Sequence, residues 1–352
     1  MTRTKPFLAA LGGQAVRPAP LWLMRQAGRY LPEYRALRAR APDFLGFCLN
    51  PEMAAEATLQ PIRRYHPDAA ILFADILVLP FALGHPVKFE VGEGPVLEPF
   101  TSAAQLDALN PARAAEVGAP INETVRRVAA ALPDDVALIG FAGSPFTVAA
   151  YMVEGRGSRD FAAAKRLMYG DGPLFDALVA RITDATIDYL SAQADAGAEV
   201  LMLFDSWAGV LSPAMFARHV IAPTARITTA LRARHPHIKL IGFPRQAGGG
   251  AIAYAQQAGV DCVALDTAVP PAWAAANMPR GVTLQGNVDP LALVAGGEAL
   301  RSETQGVLDA MGDRPWIFNL GHGVVPETPP EHVAALIAQV RGEVRGQARG
   351  AA

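Results

Sequence analysis

The sequence predicts an α/β protein built as one (β/α)8 barrel, a single domain spanning residues 1–352. Three observations predict it. Short apolar runs recur eight times, helix-like segments alternate with them, and no linker, low-complexity stretch or repeat divides the chain. The runs are continuously apolar rather than alternating, as expected for parallel strands covered by helices outside and packed against one another inside. Right-handed crossovers close such an alternation into a barrel, and barrels of this length are common as single domains.

The strands are predicted at Leu21–Met24, Ala70–Ala74, Val136–Phe141, Val200–Phe204, Ile238–Phe243, Cys262–Leu265, Val282–Leu284 and Trp316–Leu320. Ala, Leu and charged residues at helical spacing predict helices over Pro51–Tyr65 and Asp160–Ala196. Further helices are predicted over Ser102–Leu132, Pro213–Arg234, Ala251–Gln257, Leu291–Met311 and Pro330–Val344. Pro51, Pro213, Pro290 and Pro330 stand near helix starts, where a missing N–H costs little. The C-terminal RGQARGAA reads as a frayed tail.

Composition excludes several classes. The chain is 51% hydrophobic and 18% charged with a net charge of −2, so it lacks the basic excess that nucleic acid demands. Only four of its 31 basic residues are lysine, a skew that in an Ala-rich chain reflects genome composition more than selected guanidinium chemistry. Cys48 and Cys262 are far apart and in no metal-ligand spacing, and read as buried free thiols in a reducing compartment. The most apolar window, Ala69–Gly84, is shorter than a bilayer span of about 20 residues and contains Asp75 and Pro80. The apolar stretch near the start is too short for a signal-peptide core. A cytoplasmic protein with no membrane partner is expected.

Chemistry in such barrels sits at the C-terminal ends of the strands. One or two residues past each run stand Arg25, Asp75, Gly143 with Ser144, Asp205 with Ser206, Arg245, Asp266, Asn287 with Asp289, and His322. Asp75 is the most telling, because apolar sequence flanks it on both sides and a buried carboxylate is costly unless partnered. Arg25 and Arg29, with Gly28 between them, suggest an anion clamp, since guanidinium grips carboxylate or phosphate bidentately. The plainer reading is a solvated Arg-rich turn paired with Glu33. The remaining histidines fall on expected helices or loops, and His235 and His237, beside Pro236 in an expected surface turn, read as solvated.

The run PLWLMRQAGRYLPEYR, Pro20–Arg35, closely resembles the N-terminal signature of the uroporphyrinogen decarboxylase family. So do PEMAAEATLQPIRRY, ILFADIL, GFAGSPFTVAAYMVEG, LMLFDSWAGVLSP, IGFPRQAGG, LQGNVDP and FNLGHGVVPETPPEHV, in the family's order and spacing from Pro6 to about Arg341. The departures are small: Thr267 stands where many members have Trp, and Gln246 where Gly is common.

The resemblance implies a cofactor-independent, metal-free carboxy-lyase of porphyrin (haem) biosynthesis. It would convert the four acetate arms of uroporphyrinogen III to methyls, giving coproporphyrinogen III and four CO2. It implies Asp75, Arg25 and Arg29 as catalytic residues. It implies Arg25, Gln26, Ala27, Gly28, Arg29, Asp75, Tyr151, Ser206 and His322 as substrate-binding residues. The reaction needs a proton donor for a pyrrole carbon, an anion beside the cation so formed, and grips for many carboxylates. Asp75 is the anion; the acid is either an arginine, as family mechanisms propose, or protonated Asp75 or a water. Ser206 has no His–Asp grouping and would bind rather than attack. A homodimer is also implied, its pairing covering apolar rim residues such as Phe146 and Val148. Two other readings differ in kind: a non-catalytic binder of anionic tetrapyrroles, and a zinc- and cobalamin-dependent methyltransferase of the same superfamily. The second needs converging N/S ligands that the two cysteines do not offer.

Overall fold

Seven of the eight apolar runs become strands of one parallel sheet, and the first becomes something else. The computed structural model describes residues 5–90 and 94–342. Its strands are β1 (Ala69–Ile71), β2 (Val87–Glu90), β3 (Gly94–Leu97), β4 (Ala137–Gly143), β5 (Val200–Asp205), β6 (Lys239–Pro244), β7 (Cys262–Ala264), β8 (Thr283–Val288) and β9 (Trp316–Leu320). The sheet runs β1-β4-β5-β6-β7-β8-β9, with β2 and β3 pairing apart from it as an antiparallel hairpin. Every residue of β4, β7, β8 and β9 is buried, which is why these runs carry no polar alternation.

Leu21–Met24 was expected as a strand but makes only an isolated parallel bridge, Leu21 to Phe318 on β9. It still closes the barrel. Phe318 N–H donates to Pro20 O at 2.9 Å on one side, and Asp68 N–H donates to Leu21 O at 2.8 Å just ahead of β1. Side chains replace the missing ladder bonds: Asp68 Oδ2 accepts from Leu21 N–H at 2.8 Å, and Asn319 Oδ1 from Met24 N–H at 3.0 Å. Trp22 is fully buried and donates through Nε1 to Gln285 Oε1 at 2.9 Å. The segment is therefore an eighth stave, held as much by side chains as by backbone.

The helices cover the outside of this sheet. The Pro51–Tyr65 helix forms as expected, with Asn50 Oδ1 capping Met53 N–H at 3.0 Å. Three predicted helices are split where local chemistry ends a helix. Ser102–Leu132 breaks before Asn110 and Pro111, Asp160–Ala196 at Asp171, and Leu291–Met311 at Gly296, where φ is +66°. The last helix is Pro330–Val340; Glu343 and Val344, like the RGQARGAA tail, lie outside the described residues. The β2–β3 hairpin was not expected, its four-residue strands being too short to show a period. Cys48 and Cys262 are buried free thiols, and no described helix is long and apolar enough to cross a membrane.

Closure through Asn319 is testable. Its Oδ1 also accepts from Leu320 N–H at 2.8 Å, and the residue is fully buried. Asn319→Leu should leave Met24 N–H without a partner and lower the unfolding free energy by about 1–3 kcal/mol in urea titrations. An unchanged midpoint would show that the first stave does not rely on this bond.

Candidate active site

A cleft of about 980 Å3 opens at the C-terminal ends of the strands, and its lining includes Arg25, Ala27, Gly28, Arg29, Asp75, Tyr151, Ser206 and His322. The structure thus brings together eight of the nine residues named from the sequence. Gln26 is the exception. It is 2% exposed, its Oε1 accepts from Leu23 N–H at 3.2 Å, and its Nε2 donates to Ala69 O at 3.1 Å. Its main chain is also occupied: N–H donates to Leu23 O and its carbonyl accepts from Tyr30 Oη. Gln26 ties the first stave to β1, so it positions Arg25 and does not face a ligand.

Arg25 sits directly after the closing stave with φ +60°, a left-handed conformation costly for a residue with a side chain. The backbone reverses there because both flanks are pinned, Met24 O by Val324 N–H and Gln26 N–H by Leu23 O. The Arg25 stem lies so close over Gly323 that a Cβ at that position would overlap it. Its guanidinium is accessible from the cleft yet has protein around its other sides. Burial pulls its pKa below the ordinary value, against the attraction of Asp75 and Tyr151 and reinforced by Arg29 and Arg245. The Arg29 loop is held from behind by Arg35, whose Nη1 donates to Arg29 O at 2.7 Å and Tyr30 O at 3.1 Å.

The plainer reading of this turn, an arginine cluster paired with Glu33, is not what forms. Glu33 is taken by Arg64, whose Nε and Nη2 reach its two carboxylate oxygens at 2.7 and 2.9 Å. Neither Arg25 nor Arg29 makes an ion pair within 4 Å among the described residues.

Asp75 follows β1 on a turn that its own Oδ1 closes by accepting Leu77 N–H at 2.8 Å. Among the described residues it has no ion-pair partner within 4 Å. Burial pushes its carboxyl above the usual carboxylate range, opposed by the Leu77 N–H and by Arg25. The walls around it are apolar, with Phe73, Phe141, Phe204 and Phe243 among them. Tyr151 packs edge-on against Trp207, ring centroids 5.9 Å apart, and burial raises its phenol pKa. His322 is pushed down to about 4, first by burial and then by Arg25 and Arg245, so it is neutral at pH 7. Ser206 presents a hydroxyl with no internal partner among the described residues.

Among the described residues, four arginines (Arg25, Arg29, Arg38, Arg245) and one carboxylate (Asp75) line the cleft, a local excess opposite in sign to the chain's net charge of −2. Among the described residues the site is cationic, apolar-walled and carries one carboxylate. Arg245 and Arg38 were not among the residues named as ligand contacts, although Arg245 stood in the set of strand-end residues. Other members of that set are structural. Asp266 accepts from Gln246 N–H and Ala268 N–H, Asn287 Nδ2 donates to Asp266 O and Val269 O, and Asp289 caps a helix through Leu291 N–H. Among the described residues, no three His, Cys, Asp or Glu side chains group as a metal site would need. His235 is not solvated as expected: its Nε2 lies 2.6 Å from Ser191 Oγ. Phe146 and Val148 are fully buried and not on any rim.

Asp205 lies behind the cleft wall, 1% exposed, between the lining residues Phe204 and Ser206. Thr147 Oγ1 donates to its Oδ1 at 2.5 Å and itself accepts Trp207 N–H at 3.1 Å, while Oδ2 has no partner among the described residues. Burial pushes its pKa up to about 7, against the Thr147 bonds.

A model of the uroporphyrinogen decarboxylase family matches residues 2–342. A uroporphyrinogen decarboxylase of Granulibacter bethesdensis is 56% identical over 96% of this chain and 99% of its own. One of Acidiphilium cryptum is 55% identical over 96% of this chain and 94% of its own. In fold, the chain is similar to a methyltransferase from Methanosarcina mazei at TM-score 0.80, with 21% identity over 96% of this chain and 97% of that one.

Because the folded Asp205 pKa lies above its unfolded value of 3.8, the folded state holds the proton more tightly and stability falls as pH rises from 3.8 to about 7. Asp205→Asn keeps the acceptor for Thr147 and removes the charge. Its Tm should exceed wild type by about 2 °C or more at pH 8, the gain shrinking toward pH 4. Calorimetry showing a pH-independent difference would place the titration elsewhere.

Proposed function

The chain belongs to the uroporphyrinogen decarboxylase family, and we propose that its cleft carries out the family's reaction through Asp75, Arg25 and Arg29. Decarboxylation of uroporphyrinogen in tetrapyrrole biosynthesis is the activity of this carboxy-lyase family, which needs no cofactor. The observation that carries the assignment of roles is an Asp75 and guanidiniums that make no ion pair with one another among the described residues. A cleft of about 980 Å3 with apolar walls suits a large macrocycle, whose carboxylate arms would meet arginine and whose central N–H groups would meet an acceptor.

A pyrrole acetate cannot lose CO2 directly, because the electrons released would enter an electron-rich ring. Protonation of a ring carbon first gives an iminium cation. The carboxylate C–C bond then breaks, and its electron pair neutralises the iminium and leaves an exocyclic methylene. That methylene takes a proton to become methyl as the ring carbon gives one up, so each arm consumes one proton net and releases one CO2. The substrate supplies the electron sink that a cofactor otherwise provides. Asp75, accepting the pyrrole N–H groups, would stabilise the cation. A preorganised charge in a water-poor site is worth on the order of 3 kcal/mol, about a hundredfold in rate. Burial raises the Asp75 pKa and lowers that of Arg25, and the proton comes from protonated Asp75, from an arginine or from a water these groups hold. Arg25 and Arg29 hold the arms. Ala27 and Gly28 let backbone approach them, and Tyr151, Ser206 and neutral His322 offer further hydrogen bonds.

We take residues 1–352 as one domain, which the family match over residues 2–342 supports, and the protein as cytoplasmic. The homodimer rests on the family alone, since Phe146 and Val148 are not available to a partner. Sedimentation at micromolar concentration should show dimer; a fully active monomer would refute it.

Asp75→Asn keeps shape, removes the charge and turns an NH2 toward groups that need acceptors. It should lower kcat by about a hundredfold or more with a smaller change in KM. Arg29→Lys keeps charge but loses the fork, so KM should rise about tenfold, with five- to seven-carboxylate intermediates released. Both are read in anaerobic assays by product carboxylate number. Near-normal kcat in Asp75→Asn would leave Asp75 a structural turn residue.

A further inference from the structure

Arg245 follows β6. Counting the closing stave, the barrel order is 20–24, β1, β4, β5, β6, β7, β8, β9, so β6 stands directly across the barrel from the stave that carries Arg25. The Arg245 side chain lines the cleft and makes no hydrogen bond or ion pair with any described residue. A structural arginine in this chain looks different: Arg314 is 3% exposed and donates to the carbonyls of Ala275, Met278, Pro279 and Val282.

The backbone that presents Arg245 is fixed with care. Its N–H donates to Asp205 O at 3.1 Å and Phe243 O at 3.0 Å, and its carbonyl accepts from Gly209 N–H at 3.0 Å. Gln246 then turns left-handed at φ +59°, its N–H held by Asp266 Oδ2 at 2.6 Å. Asp266 is 4% exposed and is itself tied down where its carbonyl accepts from Asn287 Nδ2 at 2.7 Å. Gly209 packs so closely under Gln246 that any Cβ there would collide with it. The left-handed φ is the reason glycine is common at the position where Gln246 stands. All of this positions one loop whose only unpartnered charge points at the cleft.

We propose that Arg245 is a further substrate-binding residue that sets specificity by gripping a carboxylate arm on the side of the ring opposite Arg25 and Arg29. The proposal rests on the uroporphyrinogen reading. A macrocycle with carboxylates around its whole periphery, clamped only by Arg25 and Arg29, would be held along one edge and free to tilt. A guanidinium from the opposed stave holds the far edge, whichever acetate has been turned toward Asp75. The lowered pKa of His322, to which Arg245 contributes, is consistent with its charge reaching the centre of the cleft.

The test uses the full chain with Arg245→Gln and Arg245→Lys beside wild type. The Tm should not move in either, because the side chain has no internal partner. In Arg245→Gln, KM for uroporphyrinogen should rise about tenfold, the loss of one charge-assisted contact, with kcat within about threefold. Five- to seven-carboxylate species should accumulate, and Arg245→Lys should recover part of the binding. Fluorescence titration with uroporphyrin and coproporphyrin separates the two arms. Weakened binding of both identifies a propionate grip, and weakened binding of uroporphyrin alone an acetate grip; either supports the proposal. Wild-type KM and intermediate distribution in Arg245→Gln would overturn it, as would a lowered Tm with unchanged KM. A wild-type protein that turns nothing over would instead defeat the activity reading, and the titrations would still decide whether Arg245 binds carboxylate.

Discussion

Asp75 and the arginines around it are kept apart, and that separation is what makes the cleft useful. Two unit charges about 4 Å apart near a protein surface attract by about 4 kcal/mol at an effective dielectric of 20. An internal pair of Asp75 with Arg25 would collect that energy and leave nothing for a ligand. The fold forgoes it by local means. Leu77 N–H fixes one oxygen of Asp75, and a left-handed backbone at Arg25 fixes that side chain's stem over Gly323. Glu33, the nearest competing carboxylate in sequence, is occupied by Arg64. The raised Asp75 pKa is the cost of this arrangement, and an acceptor for ring N–H groups is its return.

The barrel supports the separation because Asp75 and the polar groups facing it leave several different staves. Arg25 follows the closing segment, Asp75 follows β1, Ser206 follows β5, Arg245 follows β6 and His322 follows β9. Side chains from distinct strands can be aimed inward without being able to reach one another's rotamers. The closing segment is the weakest link by backbone, with one bridge, and the strongest by side-chain bonding, through Asp68, Asn319, Gln26 and Trp22. That exchange has a local logic: Pro20 precedes the run and Arg25 reverses the chain after it, so only a few residues can pair.

These features explain which parts of the molecule could be read from residue order. Seven strands showed because parallel strands buried on both faces leave an apolar run that nothing interrupts. The first run looked the same, since burial, and not ladder pairing, is what composition reports. Helix breaks at Asn110–Pro111 and Gly296 carried local signals, whereas the four-residue hairpin strands carried none. At the site, strand-end position and family motif found Asp75, Arg25, Arg29, Tyr151, Ser206 and His322, all of which line the cleft. Gln26 is off the cleft lining, since a motif marks residues that matter without saying whether they face the cleft or hold its wall. Arg245 was visible at its strand end but could be weighed only once its lack of partners was known. Phe146 and Val148 went the other way, rim-like in sequence yet buried under the helix they begin.

The same barrel holds a methyltransferase of low identity, so the architecture alone does not choose the chemistry. The mouth does. Among the described residues it offers four guanidiniums against one carboxylate, with both cysteines buried. That fixed excess gives the reaction a direction. Each decarboxylation removes one negative charge from the ligand while the protein's charge stays the same, so attraction weakens with every arm processed. A ligand that has lost all four acetates keeps only its propionates, so the electrostatic part of its attraction to these guanidiniums is smaller than that of the starting material.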